Sequence, residues 1–106
     1  MAKKGIPEDV KQQIEKAIAE FNKKLDYGYV VRYRGKHVYL DRKGYFGKAS
    51  PICRLTYTGD MQKWEFAIYK YSTERYDANE WFFPGSNHVD GTIEGAMKAG
   101  LEAYPT

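Results

Sequence analysis

Two segments of the chain alternate apolar and polar residues with the two-residue period of a β-strand. They are YGYVVRYRGKHVYLDR (27–42), which turns within residues 34–36, and ICRLTYTGDMQKWEFAIYKY (52–71), which turns through residues 59–62. Because side chains alternate between the faces of a strand, and both loops have an even number of residues, the faces of the paired strands stay matched. The sequence therefore predicts two hairpins with the same arrangement, one apolar face and one polar face.

This alternation assigns each strand residue to a face. The apolar row is predicted to face the core: Tyr29, Val31, Tyr33, Val38, Leu40, Cys53, Leu55, Tyr57, Trp64, Phe66 and Ile68. The opposite row is predicted to face solvent: Val30, Arg32, Arg34, His37, Tyr39, Asp41, Arg54, Thr56, Lys63, Glu65, Ala67, Tyr69 and Tyr71.

A helix is predicted before the hairpins and another after them, because apolar residues recur there at three- and four-residue spacing. In the second helix Asn87 or Asp90 is expected to cap the start. Gly100 lies in its apolar stripe and is expected to permit a close backbone approach, whereas Gly95 is expected on the wetter side, where a dimer contact is one alternative. The stripes are Val10, Ile14, Ala17, Ile18, Phe21 and Leu25, then Ile93, Ala96, Met97, Gly100, Leu101 and Tyr104.

These patterns predict a two-layer α+β sandwich, in which both helices cover one face of a four-stranded antiparallel meander in the order α-β-β-β-β-α. A fifth short strand around Trp81–Phe83 is an alternative. The length of 106 residues fits a single domain. We assign residues 6–106 to that domain and residues 1–5 to a disordered basic tail.

Residues 72–90 combine acidic side chains with large aromatic ones. Burial of such large aromatic side chains stabilises the folded chain, so we expect a lid over the core in preference to a binding loop. If the segment does bind a partner, the candidate residues are Tyr76, Trp81, Phe82 and Phe83. A small-molecule pocket beneath the same segment is a further reading.

Charge is unevenly distributed along the chain. Residues 27–58 carry seven basic residues and one acidic residue, whereas residues 59–90 carry three basic and six acidic residues. Arginine and lysine attract phosphates, and tyrosine rings provide stacking surfaces for unpaired bases, so the polar sheet face is a candidate site for RNA or single-stranded DNA. The candidate residues are Arg32, Arg34, Lys36, Tyr39, Arg42, Arg54, Lys63 and Tyr69.

Two other readings of the polar face remain open. Antiparallel sheets commonly carry arginine, lysine and tyrosine on a solvated face, with Asp41 and Glu65 as cross-strand partners. The tyrosine-rich sheet could instead bind a protein or form a homodimer. The order of elements resembles that of the double-stranded-RNA-binding domain, but HVDGT (88–92) lacks that family's lysine cluster, so no residue role is carried over.

The sequence contains no recognisable catalytic or metal-binding pattern. The two histidines, His37 and His88, have no cysteine at zinc-ligand spacing, and Cys53 is predicted to face the core. We therefore expect a protein that is not an enzyme and has no metal or other cofactor. Without an apolar leader or membrane-spanning stretch in the sequence, we expect a cytoplasmic protein with no membrane partner.

Overall fold

The computed structural model describes residues 5–25, 28–44, 48–79 and 83–104. Two helices and a five-stranded antiparallel sheet confirm the predicted α+β class, and residues 1–4 of the predicted tail lie outside the described part. In chain order the elements are α1 (Glu8–Asn22), β1 (Tyr29–Arg34), β2 (His37–Lys43), β3 (Ala49–Thr56), β4 (Glu65–Lys70), β5 (Arg75–Asp77), a 3-10 turn (Ser86–His88) and α2 (Ile93–Ala103).

The strands lie across the sheet in chain order, from β1 at one edge to β5 at the other, and all neighbours are antiparallel. A fifth strand exists, but it is three residues long and lies at Arg75–Asp77. The alternative placement at 81–83 is wrong for Phe83, which lies in a bend, while Trp81 and Phe82 are outside the described residues. β5 is recognised by its pairing with β4. Its three residues are too few to show an alternating apolar and polar pattern in the sequence, so the pattern does not predict this strand.

The predicted parity of both hairpins is confirmed. In the first hairpin the loop is Gly35-Lys36, with Tyr33 opposite Val38. In the second hairpin Leu55 is opposite Phe66. Residues directly opposite each other in an antiparallel pair point to the same face, so the apolar rows of the two hairpins form one continuous surface.

A β-bulge interrupts the pairing of β2 with β3. Leu40 is opposite Cys53, but Asp41 is opposite Pro51, so Ile52 is the extra residue of the bulge. Ile52 is buried together with Cys53, against simple alternation. Proline cannot donate to a sheet ladder, and a bulge is one of the places where a strand accommodates it.

Both helices pack on the apolar face of the sheet. Their buried residues, such as Ile14 of α1 and Met97 of α2, belong to the same core cluster as Val38, Leu40 and Leu55 of the strands. The other face of the sheet is left without a helix from the described part of the chain. Among the described residues, neither helix is long and apolar enough to cross a membrane.

The start of α2 differs from the prediction. Thr92 is the cap, because its Oγ1 accepts a hydrogen bond from the Gly95 N–H at 3.0 Å, and Asp90 Oδ1 in turn accepts from the Thr92 hydroxyl at 2.6 Å. Gly95 is buried, and a Cβ there would meet the Asp90 carboxylate and the His88 carbonyl oxygen. The expectation that Gly95 lies on the wetter side, open to a dimer contact, is therefore wrong.

The expectation for Gly100 is confirmed. A Cβ at this position would meet the hydroxyl of Tyr29 and a methyl group of Ile52. The Tyr29 hydroxyl donates to the Met97 carbonyl oxygen at 2.7 Å within the core. Gly100 thus lets α2 lie directly against β1 and β3.

Candidate functional site

The helix-free side of the sheet, which we call the open face, brings Arg32, Tyr39 and Arg54 side by side. Arg32 of β1 is opposite Tyr39 of β2, and Tyr39 is opposite Arg54 of β3. Cross-strand neighbours of this kind have Cβ atoms about 4.5–5.5 Å apart. Three of the residues predicted to bind nucleic acid therefore form one row across the sheet.

Tyr76 of β5 joins these three residues from the neighbouring row on the same face of the sheet, two residues along β4 from the pair of Arg54 and Ala67. It is opposite Tyr69 of β4, with the ring centroids 5.0 Å apart, and its ring also lies 5.3 Å from that of Tyr39. The sequence pattern predicts Tyr76 for a different candidate surface, because a strand as short as β5 leaves no alternating pattern. We call the five residues the arginine–tyrosine cluster: Arg32, Tyr39, Arg54, Tyr69 and Tyr76.

Both guanidinium groups of the cluster lie over tyrosine rings. Arg32 Cζ is 4.8 Å from the ring centroid of Tyr39, and Arg54 Cζ is 5.4 Å from that of Tyr76. Contacts of this kind contribute about 0.5–1 kcal/mol at exposed sites and about 2 kcal/mol when desolvated. Arginine and tyrosine thus hold one another in place on the open face.

Asp41 anchors Arg32. The Arg32 Nε donates to Asp41 Oδ2 at 2.7 Å and Nη2 donates to Oδ1 at 3.0 Å, which is a bidentate pair. These hydrogen bonds raise the pKa of the guanidinium further above its usual range. The Arg32 side chain nevertheless remains 54% exposed, so it can still contact a ligand. Asp41 is one of the two acidic residues that the sequence predicts as cross-strand partners on a solvated sheet face.

Arg54 is more enclosed than Arg32. Its Nε is buried and has no hydrogen-bond partner among the described residues. Tyr76 lies against it, and burial, followed by the charge of Asp41, raises the pKa of the Tyr76 phenol. A buried N–H donor without a hydrogen-bond partner is uncommon in proteins. The Nε of Arg54 lies beside Tyr76, the most central ring of the cluster.

His37 adds a titratable group beside the cluster. Its Nδ1 is 2.9 Å from Thr56 Oγ1, and its ring lies 6.2 Å from that of Tyr39. Burial lowers the pKa of His37, and the positive charges of Arg54, Lys36 and Arg34 lower it further. Both causes disfavour the protonated form of His37 in the free protein.

The exposed cations near the cluster lie at one end of the sheet. Arg34 is the last residue of β1 and Lys36 lies in the β1–β2 turn, and neither forms an ion pair within the described part of the chain. The Tyr57 N–H donates to the Lys36 carbonyl oxygen at 2.9 Å, which brings the β3–β4 connection to this end. Lys63 is exposed in that connection rather than in a strand.

The prediction that Arg42 supplies charge from a turn near the open face is wrong. β2 continues to Lys43, so Arg42 follows Leu40 on the core side and is opposite Tyr29. It is only 7% exposed, with its Nη1 3.4 Å from the Gly100 carbonyl oxygen and its guanidinium over the Tyr29 ring at 5.7 Å. Arg42 therefore connects the sheet to α2 and cannot reach a ligand on the open face.

The alternative set of partner-binding residues does not form one surface. Tyr76 lies on the open face, whereas Phe83 stacks on the core residue Phe66, with centroids 5.8 Å apart and an interplanar angle of 16°. Part of the segment therefore covers the core, as the lid prediction expects, whereas Tyr76 lies on the open face. Trp81 and Phe82 lie outside the described residues, so the set is not tested further.

One cavity of about 340 Å³ lies where the chain returns from β5 to α2. Its walls are mainly apolar and are contributed by Ile68, Tyr71, Phe83, Pro84, Ala103 and Tyr104, together with Lys70 and Ser72. It corresponds to the predicted space beneath residues 72–90. Among the described residues of its wall there is no cluster of acid, base and nucleophile that would indicate catalysis.

The described residues provide no metal centre and no activated thiol. Within those ranges, no three histidine, cysteine or acidic side chains are grouped closely enough to hold a metal ion. Cys53 is fully buried, and burial raises the pKa of its thiol well above the usual range, so it stays protonated at neutral pH.

Comparisons of this chain with protein-family models, with curated proteins and with solved structures find no match. The geometry of the open face is therefore the basis for a functional proposal.

Proposed function

We propose that this domain is a non-catalytic module that binds RNA or single-stranded DNA through the arginine–tyrosine cluster. The observation that carries the proposal is the pairing of two guanidinium groups with two tyrosine rings on the helix-free side of the sheet: Arg32 with Tyr39, and Arg54 with Tyr76. Planar cations and aromatic rings are the side chains that stack with bases.

The exposure of each side chain and its contacts indicate which part of the nucleic acid it would bind. Tyr39 and Tyr69 are half-exposed and would stack with unpaired bases, each stack contributing about 1–3 kcal/mol. Arg34 and Lys36 would contact the phosphates at the end of the row. Arg32, held in its orientation by Asp41, would present its free N–H groups to a base edge or a phosphate.

A single strand fits this surface better than a duplex. The cluster lies within the face of the sheet, and its rings can stack only with bases that are already unpaired. We expect modest affinity because Asp41 cancels the charge of Arg32. With roughly two to four phosphate contacts, the logarithm of the binding constant should fall with the logarithm of salt concentration at a slope of about −1.5 to −3.

The experiment is a fluorescence-anisotropy titration with labelled oligouridine and oligothymidine of about twelve nucleotides, and with a duplex of equal length. We expect the single strands to bind more tightly than the duplex. Arg34→Ala should weaken binding and flatten the salt slope by about 0.7. Arg75→Ala is the matched control, because it removes the same charge from an exposed β5 residue opposite Lys70, on the other side of the sheet.

Absence of binding by either single strand at low salt would refute the proposal. Equal losses from Arg34→Ala and Arg75→Ala would also refute it, since the interaction would then depend on net charge alone. In that case a protein partner for the tyrosine-rich face becomes the better reading, and sedimentation across a concentration series would reveal self-association.

A further inference from the structure

The outer edge of β1 is partly closed by a side chain of α1. The Tyr29 N–H donates to Asn22 Oδ1 at 2.8 Å, and Asn22 Nδ2 donates to the Tyr29 carbonyl oxygen at 2.9 Å. The amide of Asn22 therefore pairs with the backbone of Tyr29 as the next strand of the sheet would. This contact also shows that the backbone groups of Tyr29 point away from β2.

The same direction recurs at every second residue of β1. In an antiparallel pair, residues alternate between those that bond to the partner strand and those that face outward. Val31 and Tyr33 share the parity of Tyr29, so their N–H and C=O groups also face the free edge. Within the described part of the chain these four groups have no hydrogen-bond partner.

The side chains along this edge select against a second copy of the chain. An antiparallel pair of two β1 strands that used Val31 and Tyr33 of both copies would set Arg32 of one copy against Arg32 of the other, and like charges opposite each other are destabilising. Positively charged edge strands generally prevent such pairing. The same charges, on Arg34 and Lys36 without ion-pair partners among the described residues, attract an acidic strand.

We propose that the β1 edge binds an extended acidic peptide, which adds a strand to the sheet beside Val31 and Tyr33. Its backbone would pair with the outward N–H and C=O groups of these two residues. A carboxylate of the peptide would face Arg34 on the open side, whereas Arg32 is already paired with Asp41. Its apolar residues would lie on the helix side beside Val31 and Tyr33, as expected for strand addition.

The edge also limits the length of the bound strand. Asn22 occupies the groups of Tyr29 at one end, and the strand ends at the Gly35-Lys36 turn at the other. Two outward-facing residues therefore provide at most four backbone hydrogen bonds. The backbone groups of Val31 and Tyr33 are separate from the stacking faces of the arginine–tyrosine cluster, and only Arg34 is shared with the proposed phosphate contacts, so the inference goes beyond the proposed nucleic-acid binding.

The test uses a labelled hexapeptide of alternating glutamate and valine, titrated into the intact chain. Binding should slow hydrogen exchange at the amides of Val31 and Tyr33 and leave that of Tyr29 unchanged. A peptide N-methylated at the residues whose N–H groups face β1 should bind at least about tenfold more weakly, because each methyl group removes a donor. A peptide with the same residues in block order is the control for charge alone.

A variant of the protein provides the reciprocal test. Val31→Pro removes one outward N–H but no bond to β2, and proline is tolerated at such edge positions. It should weaken peptide binding about threefold to tenfold without changing the binding of oligouridine. Should Val31→Pro fail to fold, the N-methylated peptide on the native protein gives the same comparison.

The proposal is overturned if the alternating peptide does not bind, if N-methylation does not weaken it, or if the block peptide binds equally well. Exchange protection at open-face residues in place of Val31 and Tyr33 would also overturn it. None of these outcomes affects the test of nucleic-acid binding, which depends on Arg34→Ala against Arg75→Ala.

Discussion

The ring of Tyr76 on β5 lies 5.3 Å from the ring of Tyr39 on β2, although β3 and β4 separate the two strands. The row between them contains Arg54 and, opposite it, Ala67. Ala67 is only 3% exposed even though both helices pack on the other side of the sheet. A small residue at this point leaves room for Tyr76 to lie across β4 and reach Arg54.

Enlarging Ala67 should therefore disperse the cluster. We expect Ala67→Leu to displace the Tyr76 ring and to destabilise the fold by about 1–3 kcal/mol, the usual cost of overpacking. Urea unfolding measures the free energy, and the ring-proton shifts of Tyr39 and Tyr76 report the displacement. Ala19→Leu, at an exposed position of α1, is the control and should change neither quantity. Unchanged ring shifts in Ala67→Leu would show that the small residue is not required.

Asp41 is expected to affect stability and binding in opposite directions. Asp41→Asn keeps the shape of the side chain but removes the charge that pairs with Arg32, so the fold should lose about 1–3 kcal/mol. The released guanidinium should increase affinity for oligouridine. Glu20→Gln, which removes one charge from an exposed pair with Lys23, is the control and should leave both almost unchanged. Weaker RNA binding by Asp41→Asn would show that the orientation of Arg32 matters more than its free charge.

The sequence was sufficient to predict the faces of the four long strands. The alternation of Tyr29, Val31 and Tyr33, together with even loops, leaves only one way to bury the apolar row. The same alternation indicates that Arg42 faces the core, because it lies two residues after the core-facing Leu40. The prediction failed there because glycines at 44 and 47 suggested that the loop begins earlier.

The centre of the site was less predictable. Tyr76 reaches the open face only because the three residues of β5 pair with β4, and such a short strand depends on tertiary contacts. Ile52 faces the core because of the bulge, for which Pro51 was the available sequence signal. The capping role of Thr92 depends on its contact with Asp90, a choice among neighbouring polar residues that periodicity does not determine.

Tyr29 should make the protein sensitive to alkali. Burial raises the pKa of its phenol well above the ordinary value of 10.0. The unfolded chain therefore loses this proton first, so the contribution to stability is complete below pH 10 and is lost as the pH rises above it. Tyr29→Phe should reduce this loss and should cost about 0.5–1.5 kcal/mol at neutral pH, because the hydrogen bond to Met97 is removed.

Urea unfolding at a series of pH values measures both effects. Tyr71→Phe is a useful comparison, because its hydroxyl donates to the Pro51 carbonyl oxygen from a more exposed position. At every pH, Tyr71→Phe should change the free energy of unfolding less than Tyr29→Phe does. If Tyr29→Phe leaves the alkaline limb unchanged, the other tyrosines with raised pKa values, Tyr33, Tyr71, Tyr76 and Tyr104, account for the loss.

The close approach of α2 predicts that a better helix former will destabilise the protein. Alanine is favoured over glycine in a helix by about 1 kcal/mol. At position 100, however, the added methyl group would overlap Tyr29 and Ile52, and overpacking costs about 1–3 kcal/mol. Gly100→Ala should therefore lower the free energy of unfolding or leave it unchanged. Lys98→Ala, exposed on the same helix, is the control. A gain of a full kcal/mol in Gly100→Ala would show that α2 can move away from the sheet.

Binding of nucleic acid to the open face should be linked to the protonation of His37. Burial, and after it the neighbouring cations, lower its pKa from the ordinary value of 6.5, so the free protein resists protonation there. A bound phosphate would favour the protonated form, so affinity for oligouridine should rise as pH falls from about 8 to about 5.5, by at most about tenfold for one pKa unit. His37→Gln should remove this rise. His88→Gln is the control, because His88 pairs with Glu102 of α2, away from the open face, and should retain it. A rise that persists in His37→Gln would place the proton-linked group elsewhere and would separate His37 from the binding site.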